Sequence, residues 1–180
     1  MIIFMGVAGA GKSVQGRRLA DELAVPWLST GEFLRMLTSG EQRKRMVSGK
    51  LLSDGEIITL VQKIFAVVGI DREFILDGFP RSVGQAEWLL NQVKYSQLNV
   101  TAIIHITASS EVVKERLLGR GRPDDHDEAI EGRLEEYEKT IKPILEQFKS
   151  ASVPVFDVDG DKAIEDVHDQ IVGAIKSVDN

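Results

Sequence analysis

The sequence predicts an α/β fold, in which a parallel sheet of five strands is covered by helices on both faces. Two observations lead to this prediction. Short apolar runs alternate along the chain with segments whose apolar residues recur at helical spacing, which is typical of strand–helix–strand units. A glycine-rich phosphate-binding pattern also follows directly on the first apolar run, where such a pattern joins a strand to a helix.

The phosphate-binding pattern covers residues 6–13, which read GVAGAGKS and match G-x-x-x-x-G-K-[ST] at every fixed position. Glycines let backbone N–H groups point at phosphate oxygens, Lys12 adds a mobile positive charge, and the Ser13 hydroxyl can bind Mg²⁺. The apolar run at 2–5 predicts a buried strand before the pattern. Helical spacing after Ser13 predicts a helix whose N-terminus adds its positive dipole end to the anion site.

The next segments continue the alternation. A second short strand is predicted at 25–28. Residues 29–32 (STGE) and 53–56 (SDGE) both read as capping boxes, and each should open a helix. The apolar residues of 57–68 lie on one helical face, and Gly69 is expected to end that helix.

The rest of the chain supplies three more strands and four more helices. Asp77 ends one of these strands, and Thr30 follows the second strand, so both should lie with the phosphate-binding loop at the carboxyl edge of the sheet. The predicted elements are a strand at 73–77, a helix around 86–93, a strand at 102–106, a helix at 110–118, a long helix at 130–148 that is bent at Pro143, a strand at 153–156 and a helix at 164–175.

Composition narrows the class of protein. A length of 180 residues suits one domain, and the net charge of −6 disfavours nucleic acid as a partner. The chain has no cysteine, which excludes disulfides and thiolate zinc sites. No apolar run approaches the roughly 20 residues that a membrane span needs. The first strand starts at residue 2, so we expect no signal peptide, no membrane partner and a cytoplasmic location.

A second motif, Asp77-Gly78-Phe79-Pro80-Arg81, narrows the function. A carboxylate at a strand end beside the phosphate-binding loop can hold Mg²⁺ through water, and the planar Arg81 guanidinium suits a phosphate group. With this motif the chain resembles the nucleoside monophosphate kinases, and within them the adenylate kinase family. The resemblance runs from Gly6 to the last helix and includes residues 29–35, 49–52, 77–81 with Gln85, 116–120, 122–125, Arg133 and 158–162.

The resemblance implies a P-loop kinase fold, ATP and AMP as substrates, Mg²⁺ as cofactor and a role for each matching position. The ATP phosphates would be held by Gly9, Ala10, Gly11, Lys12, Ser13 and Val14, and the ATP adenine by Arg116 and the Lys162 backbone. The transferred phosphoryl group would be met by Lys12, Arg81, Arg120, Arg122 and Arg133. The AMP phosphate would be bound by Arg35 and Arg81, the AMP base by Thr30, Lys50, Leu51, Leu52 and Gln85, and the rest of AMP by Gly78, Phe79 and Pro80. Mg²⁺ would be held by Ser13 and Asp77.

The resemblance also implies a division of the single domain 1–180. The core would comprise 1–28, 61–118 and 127–180, with an AMP-binding segment at 29–60 and a lid loop at 119–126. Family members place a hairpin or a loop domain between the arginines that match Arg120 and Arg122, whereas only Gly121 separates them here. We expect this turn, or a neighbouring subunit, to do part of the work of a lid. A monomer is the expectation by family analogy, and an oligomer remains open if it compensates for the short lid.

Several alternatives stay open on the sequence alone. The Gln85 amide offers a donor and an acceptor, as the adenine edge does, which favours AMP over the substrates of a UMP/CMP kinase. Thr30 could merely cap a helix, and arginines on helices, such as Arg133, are usually solvated. A kinase of another small metabolite, or a nucleotide-binding regulatory module without catalysis, are the more distant hypotheses. Among the histidines, His105 reads as a buried strand residue and His168 as a surface helix residue.

Overall fold

The computed structural model describes residues 1–37, 52–68, 72–95, 97–122 and 125–178 of the chain. The expected alternation of strands and helices is confirmed. The strands are β1 (Ile2–Met5), β2 (Trp27–Ser29), β3 (Ile75–Asp77), β4 (Ala102–Thr107) and β5 (Val155–Asp159). The helices are α1 (Lys12–Leu23), α2 (Thr30–Leu37), α3 (Asp54–Val68), α4 (Val83–Lys94), α5 (Ser110–Arg120), α6 (Asp127–Ser150) and α7 (Ile164–Lys176).

The five strands form one parallel sheet in the order β2-β3-β1-β4-β5. The central strand is β1, and its residue Phe4 lies opposite Asp77 of β3 on one side and Ile104 of β4 on the other. The loop that follows β1 therefore leaves the sheet at the middle of its carboxyl edge. The strands β2 and β3 lie on one side of β1, and the later strands β4 and β5 lie on the other. The carboxyl edge at β1 is therefore the switch point at which sheets of this kind bind ligands.

Two apolar layers cover the sheet, as the sequence predicts. Alternate residues of β1 point to opposite faces: Ile3 packs in a cluster with α3, α4 and most of α6, whereas Phe4 packs in a cluster with α1, α5 and α7. Both residues are fully buried. Because helices cover both faces, the central strands read as continuous apolar runs, and this explains why they were detectable from sequence.

The predicted bounds of the last strand are wrong. The apolar run starts at Val153, but β5 begins at Val155 and pairs with β4 as far as Asp159. Before the strand, the Pro154 carbonyl accepts from the Ile103 N–H at 2.8 Å. As an edge strand, β5 alternates apolar residues with the exposed Asp157, so a search for apolar runs misses its second half. The second strand likewise lies slightly later than predicted, at Trp27–Ser29.

One of the two predicted capping boxes is complete. The Ser53 N–H donates to Glu56 Oε2 at 2.9 Å, and the Glu56 N–H donates to Ser53 Oγ at 3.4 Å. In the other, Ser29 Oγ accepts from the Glu32 N–H at 3.4 Å, but the Glu32 carboxylate accepts from Arg17 at 2.5 Å. A guanidinium offers a charge-assisted bond, which is stronger than a bond from a backbone N–H. The helix end predicted at Gly69 lies outside the described residues.

The prediction that His168 is a surface residue of a helix is also wrong. Its side chain on α7 is buried, with Nδ1 at 3.2 Å from Gln15 Oε1 and Nε2 at 2.8 Å from Glu22 Oε2. Both partners lie on α1, which packs against α7. His105 is a buried strand residue, as predicted, and its two ring nitrogens contact Asp157 and the Tyr137 hydroxyl.

The two glycines of the last strand–helix unit should respond in opposite ways to alanine. A Cβ on Gly160 would lie 2.6 Å from the Thr107 carbonyl oxygen and 3.0 Å from that of Ala10, so we expect Gly160→Ala to destabilise the fold by about 1–3 kcal/mol. Gly173 is exposed on α7 with nothing within 4 Å of such a Cβ. Gly173→Ala should therefore stabilise it by about 0.5–1 kcal/mol. Urea unfolding measures the free energy of unfolding of both variants. A value for Gly160→Ala equal to that of the unaltered protein would contradict the close packing at Gly160.

Candidate active site

The loop between β1 and α1 has the backbone that a phosphate site requires. Gly9 and Gly11 have φ angles of +90° and +101°, a region that other residues rarely adopt. Gly11 is the N-cap of α1, no side chain caps this helix start, and its first turn contains no acidic residue. The N-terminal N–H groups and the positive end of the helix dipole are thus left for an anion.

Two charged or polar side chains of α1 meet the end of β3 here. Ser13 Oγ donates to Asp77 Oδ2 at 2.6 Å, and Asp77 is only 2% exposed. A hydroxyl and a carboxylate are the oxygen ligands that Mg²⁺ prefers, so this pair fits the expected metal. Lys12 Nζ donates to the Val7 carbonyl at 2.8 Å, which keeps the ammonium over the loop.

The environment of Lys12 shows which cations share the site with it. Burial lowers the pKa of Lys12 to about 8; the nearby Asp77 carboxylate opposes this, and the positive charges of Arg81 and Arg120 lower the pKa further. Arg81 follows β3 and Arg120 ends α5. Two of the predicted arginines are therefore brought to the phosphate-binding loop from separate parts of the chain.

A buried carboxylate gathers the arginines of the expected lid loop. Arg120 binds Asp125 through two bonds, Nε to Oδ2 at 2.8 Å and Nη2 to Oδ1 at 2.6 Å. The Arg122 N–H donates to the same carboxylate at 3.2 Å, and Arg133 of α6 donates at 3.3 Å. Burial alone would raise the pKa of Asp125, but Arg120 and its neighbours hold it below its usual value. The neighbouring Asp124 lies outside the described residues.

The residues expected at the acceptor phosphate also lie together. A Cβ on Gly31 would come 3.4 Å from one guanidinium nitrogen of Arg35 and 3.7 Å from one of Arg81, so both groups lie over the start of α2. Arg81 Nε donates to the Gly78 carbonyl at 2.8 Å, and the buried Thr30 hydroxyl donates to the same oxygen at 2.9 Å. Phe79 and Pro80, between Gly78 and Arg81, are buried.

The residue expected at the acceptor base, Gln85, is 5% exposed and engaged at both ends of its amide. Its Oε1 accepts from the Arg81 N–H at 2.8 Å, and its Nε2 donates to Asp54 Oδ1 at 2.8 Å. Asp54 was not singled out from the sequence. Its position in the second capping box was the signal available, and it indicated a helix start rather than a contact with α4. Leu52 is half-buried, whereas Lys50 and Leu51 lie outside the described residues.

The two residues expected at the donor base lie on separate segments of the chain. Arg116 is half-buried on α5, and the exposed Lys162 lies 3.8 Å from Asp159. The hydrogen bonds and ion pairs of the described residues include none between Arg116 and Lys162. The segments that carry them do meet, because the Ser109 N–H at the start of α5 donates to Asp161 at 3.0 Å. Ala10 is buried in the loop, and Val14 is exposed.

Comparison with known proteins agrees with this geometry. Residues 4–153 match the family described as Adenylate kinase. The chain belongs to the adenylate kinase family. It is similar to the adenylate kinase of Corynebacterium urealyticum, with 36% identity over 140 residues, or 74% of this chain and 77% of the relative. The adenylate kinase of Leptospira biflexa is 34% identical over 143 residues (74% and 77%), and adenylate kinase 1 of a Nostoc species is 36% identical over 140 residues (74% and 76%).

The described part of the chain shows no other kind of site among those below. No group of three or more His, Cys, Asp or Glu side chains there could hold a metal ion. None of the described helices is long and apolar enough to cross a membrane. A cavity between α3 and α4, lined by Phe65, Trp88 and Leu98 among others, includes none of the predicted site residues.

The pairing of Asp125 predicts a pH-dependent contribution to the stability of this adenylate kinase. Because the pKa of Asp125 is lower in the folded state, its pairing stabilises the fold above the unfolded-state pKa of about 4, and this stabilisation is lost as the pH falls through the folded-state value. We expect Asp125→Asn to cost about 1–3 kcal/mol at pH 7. The difference should shrink below pH 4.

Urea unfolding of both proteins at pH 7, 5, 4 and 3 checks this expectation. Asp169→Asn, which changes an exposed aspartate of α7, is the matched control and should have little effect. A deficit of Asp125→Asn that stays constant down to pH 3 would contradict the ionised pairing.

Proposed function

We propose that this adenylate kinase transfers the γ-phosphoryl group of Mg·ATP to AMP, reversibly, to give two molecules of ADP. The observation that supports this best is geometric: Ser13 at the phosphate-binding loop bonds Asp77 at 2.6 Å, and Arg81 bonds the next residue, Gly78, at 2.8 Å. The Arg81 guanidinium lies with that of Arg35 over the start of α2, so the phosphate-binding loop has a second group of cations beside it. Such an arrangement suits a reaction in which two anionic nucleotides must approach each other.

The donor phosphates bind to the loop between β1 and α1. The residues that contact them are Gly9, Ala10, Gly11, Lys12, Ser13 and Val14. Lys12 exchanges its bond to the Val7 carbonyl for a bond to a phosphate oxygen. Ser13 and Asp77 would hold Mg²⁺, the latter through water, and the metal would supply charge neutralisation for the phosphates. Arg116 and the Lys162 backbone flank the donor base.

The acceptor binds on the other side of Asp77. Arg35 and Arg81 hold its phosphate beside the turn at Gly78, Phe79 and Pro80. Thr30, Leu52 and Gln85 face its base, and the family resemblance assigns the same role to Lys50 and Leu51, which lie outside the described residues. The Gln85 amide, with one N–H and one lone pair left over from its internal bonds, pairs with the amino group and N1 of adenine.

The chemical step requires positioning and charge neutralisation rather than a base, since the acceptor phosphate is already a nucleophile. An oxygen of the AMP phosphate forms the new bond to the γ-phosphorus, and the bond from that phosphorus to the β–γ bridging oxygen breaks, which releases ADP. Lys12, Arg81, Arg120, Arg122 and Arg133 stabilise the charge spread over the group in transfer. Asp125 orients the guanidinium groups of Arg120 and Arg133 before substrate arrives, and it bonds the backbone N–H of Arg122.

A coupled assay of ADP formation tests the proposal, with Mg·ATP as donor and AMP, CMP, UMP or GMP as acceptor. We expect AMP to be preferred. Lys12→Ala should lower kcat/KM by about 10²–10³-fold, as the loss of one transition-state contact does. Lys94→Ala, which removes an exposed lysine at the end of α4, is the control and should leave activity intact.

Two other outcomes would overturn the proposal in different ways. A preference for CMP or UMP would make the chain a pyrimidine nucleotide kinase and refute the role of Gln85. Binding of ATP without transfer to any acceptor would indicate a regulatory nucleotide-binding module.

The lowered pKa of Lys12 predicts that the affinity for ATP depends on pH. In the free protein the ammonium loses its proton as the pH rises through about 8, and only the charged form attracts phosphate. We expect the Kd of ATP without AMP to increase above pH 8, by up to about tenfold per pH unit. Isothermal titration from pH 7 to 9 measures it, with Lys12→Arg as a variant that stays charged. Parallel profiles for the two proteins would contradict the assignment to Lys12.

A further inference from the structure

The amide of Gln85 has only one orientation that satisfies its neighbours. A carboxylate can only accept, so the atom that faces Asp54 must be the NH₂ nitrogen. A backbone N–H can only donate, so the atom that faces the Arg81 N–H must be the carbonyl oxygen. Rotation of the amide by half a turn would break both bonds and place its oxygen against the carboxylate.

Asp54 is itself held in place. Its Oδ1 accepts from Gln85, and its Oδ2 accepts from the Ser82 hydroxyl at 2.8 Å. The Ser82 oxygen in turn accepts from the Gln85 N–H at 3.2 Å and caps α4. Gly84 leaves room for the carboxylate, because a Cβ at that position would lie 2.9 Å from Asp54 Oδ2. The start of α3 and the start of α4 are thus joined at this carboxylate.

The fixed orientation matters because purine bases differ in the order of their hydrogen-bonding groups. Adenine has a donor at its 6-amino group and an acceptor at N1. Hypoxanthine, the base of IMP, has an acceptor at O6 and a donor at N1. A glutamine that could turn its amide over would serve both edges, whereas one held in a single orientation suits only one of them. The phosphate and ribose prevent the base from presenting its edge in reverse.

We propose that Asp54 is a specificity-determining positioning residue, which holds the Gln85 amide in the orientation that accepts adenine and rejects 6-oxopurine nucleotides. The proposal rests on the proposed function, in which Gln85 faces the acceptor base. Asp54 acts through Gln85 and touches no reacting atom. The Arg81 N–H favours the same orientation, and the Asp54 carboxylate adds a second bond that a reversed amide would lose.

Steady-state kinetics with AMP and IMP as alternative acceptors test the proposal. Asp54→Ala removes the acceptor, and Asp54→Asn replaces it with an amide that can face Gln85 in either orientation. We expect the ratio of kcat/KM for AMP to that for IMP to fall by about tenfold in both variants, the scale of one hydrogen bond to a charged group. Most of the change should be a gain with IMP and a rise in KM for AMP, with kcat for AMP little altered.

A third variant and a control distinguish the positioning role from a general loss of structure. Gly84→Ala is compatible with helix α4 and displaces the carboxylate without changing Asp54, so it should lower the same ratio. Glu56→Gln removes an acidic charge from the same turn of α3, where the carboxylate bonds Ser53, and should leave the ratio unchanged.

The outcomes separate this proposal from the one on which it rests. Equal losses with AMP and IMP in the Asp54 variants, with an unchanged ratio, would overturn the positioning role and leave the AMP kinase activity established. Absence of AMP phosphorylation by the unaltered protein would overturn the proposed function and this inference with it.

Discussion

Like charges at one edge of the sheet are the constraint on which the site depends. Arg81 and Arg120 both act on Lys12 there, and this repulsion must be balanced before any anion binds. Two buried carboxylates balance it: Asp77 at the end of β3 and Asp125 beside the lid loop. Asp77 tolerates burial because it accepts from the Ser13 hydroxyl and lies near Lys12 and Arg81, and Asp125 because it accepts from two arginines and a backbone N–H. Each cation in turn is held in place by a carboxylate or carbonyl. The parallel sheet creates this arrangement, since it brings the carboxyl ends of β1 and β3 side by side.

The internal contacts of the site differ in how readily a substrate could replace them. Lys12 bonds one backbone carbonyl, and Ser13 bonds one oxygen of Asp77, so each could exchange a single partner for a phosphate or a metal. Arg120 bonds both oxygens of Asp125 and is held more firmly. We infer that Lys12 and Ser13 rearrange on binding while the Arg120 pair persists. A cation that is already held in place, as Arg120 is, stabilises the transition state well because it needs no reorganisation at the moment of reaction.

Sequence patterns predicted what depends on neighbours along the chain. The phosphate-binding loop, the strand that ends at Asp77 and most helices follow from spacing over a few residues. The misses depend on distant contacts. The burial of His168 requires the packing of α7 on α1, and the contact of Asp54 with Gln85 spans 31 positions. By contrast, the family resemblance makes Asp124 and Asp125 partners of the nearby arginines, and the folded chain shows Asp125 at 2.6 Å from Arg120 and 3.3 Å from Arg133.

The short lid loop gives these fixed contacts a further role. A single residue, Gly121, separates Arg120 from Arg122, and its φ of +65° places it at the left-handed end of α5, where its N–H bonds the Leu117 carbonyl. Asp125 then ties both flanking residues to α6 through Arg133. Because both oxygens of Asp125 hold Arg120, the position of its guanidinium is set in advance rather than by closure of the loop. We infer that the chain gains preorganised charge from this loop and gives up the exclusion of water that a moving lid provides.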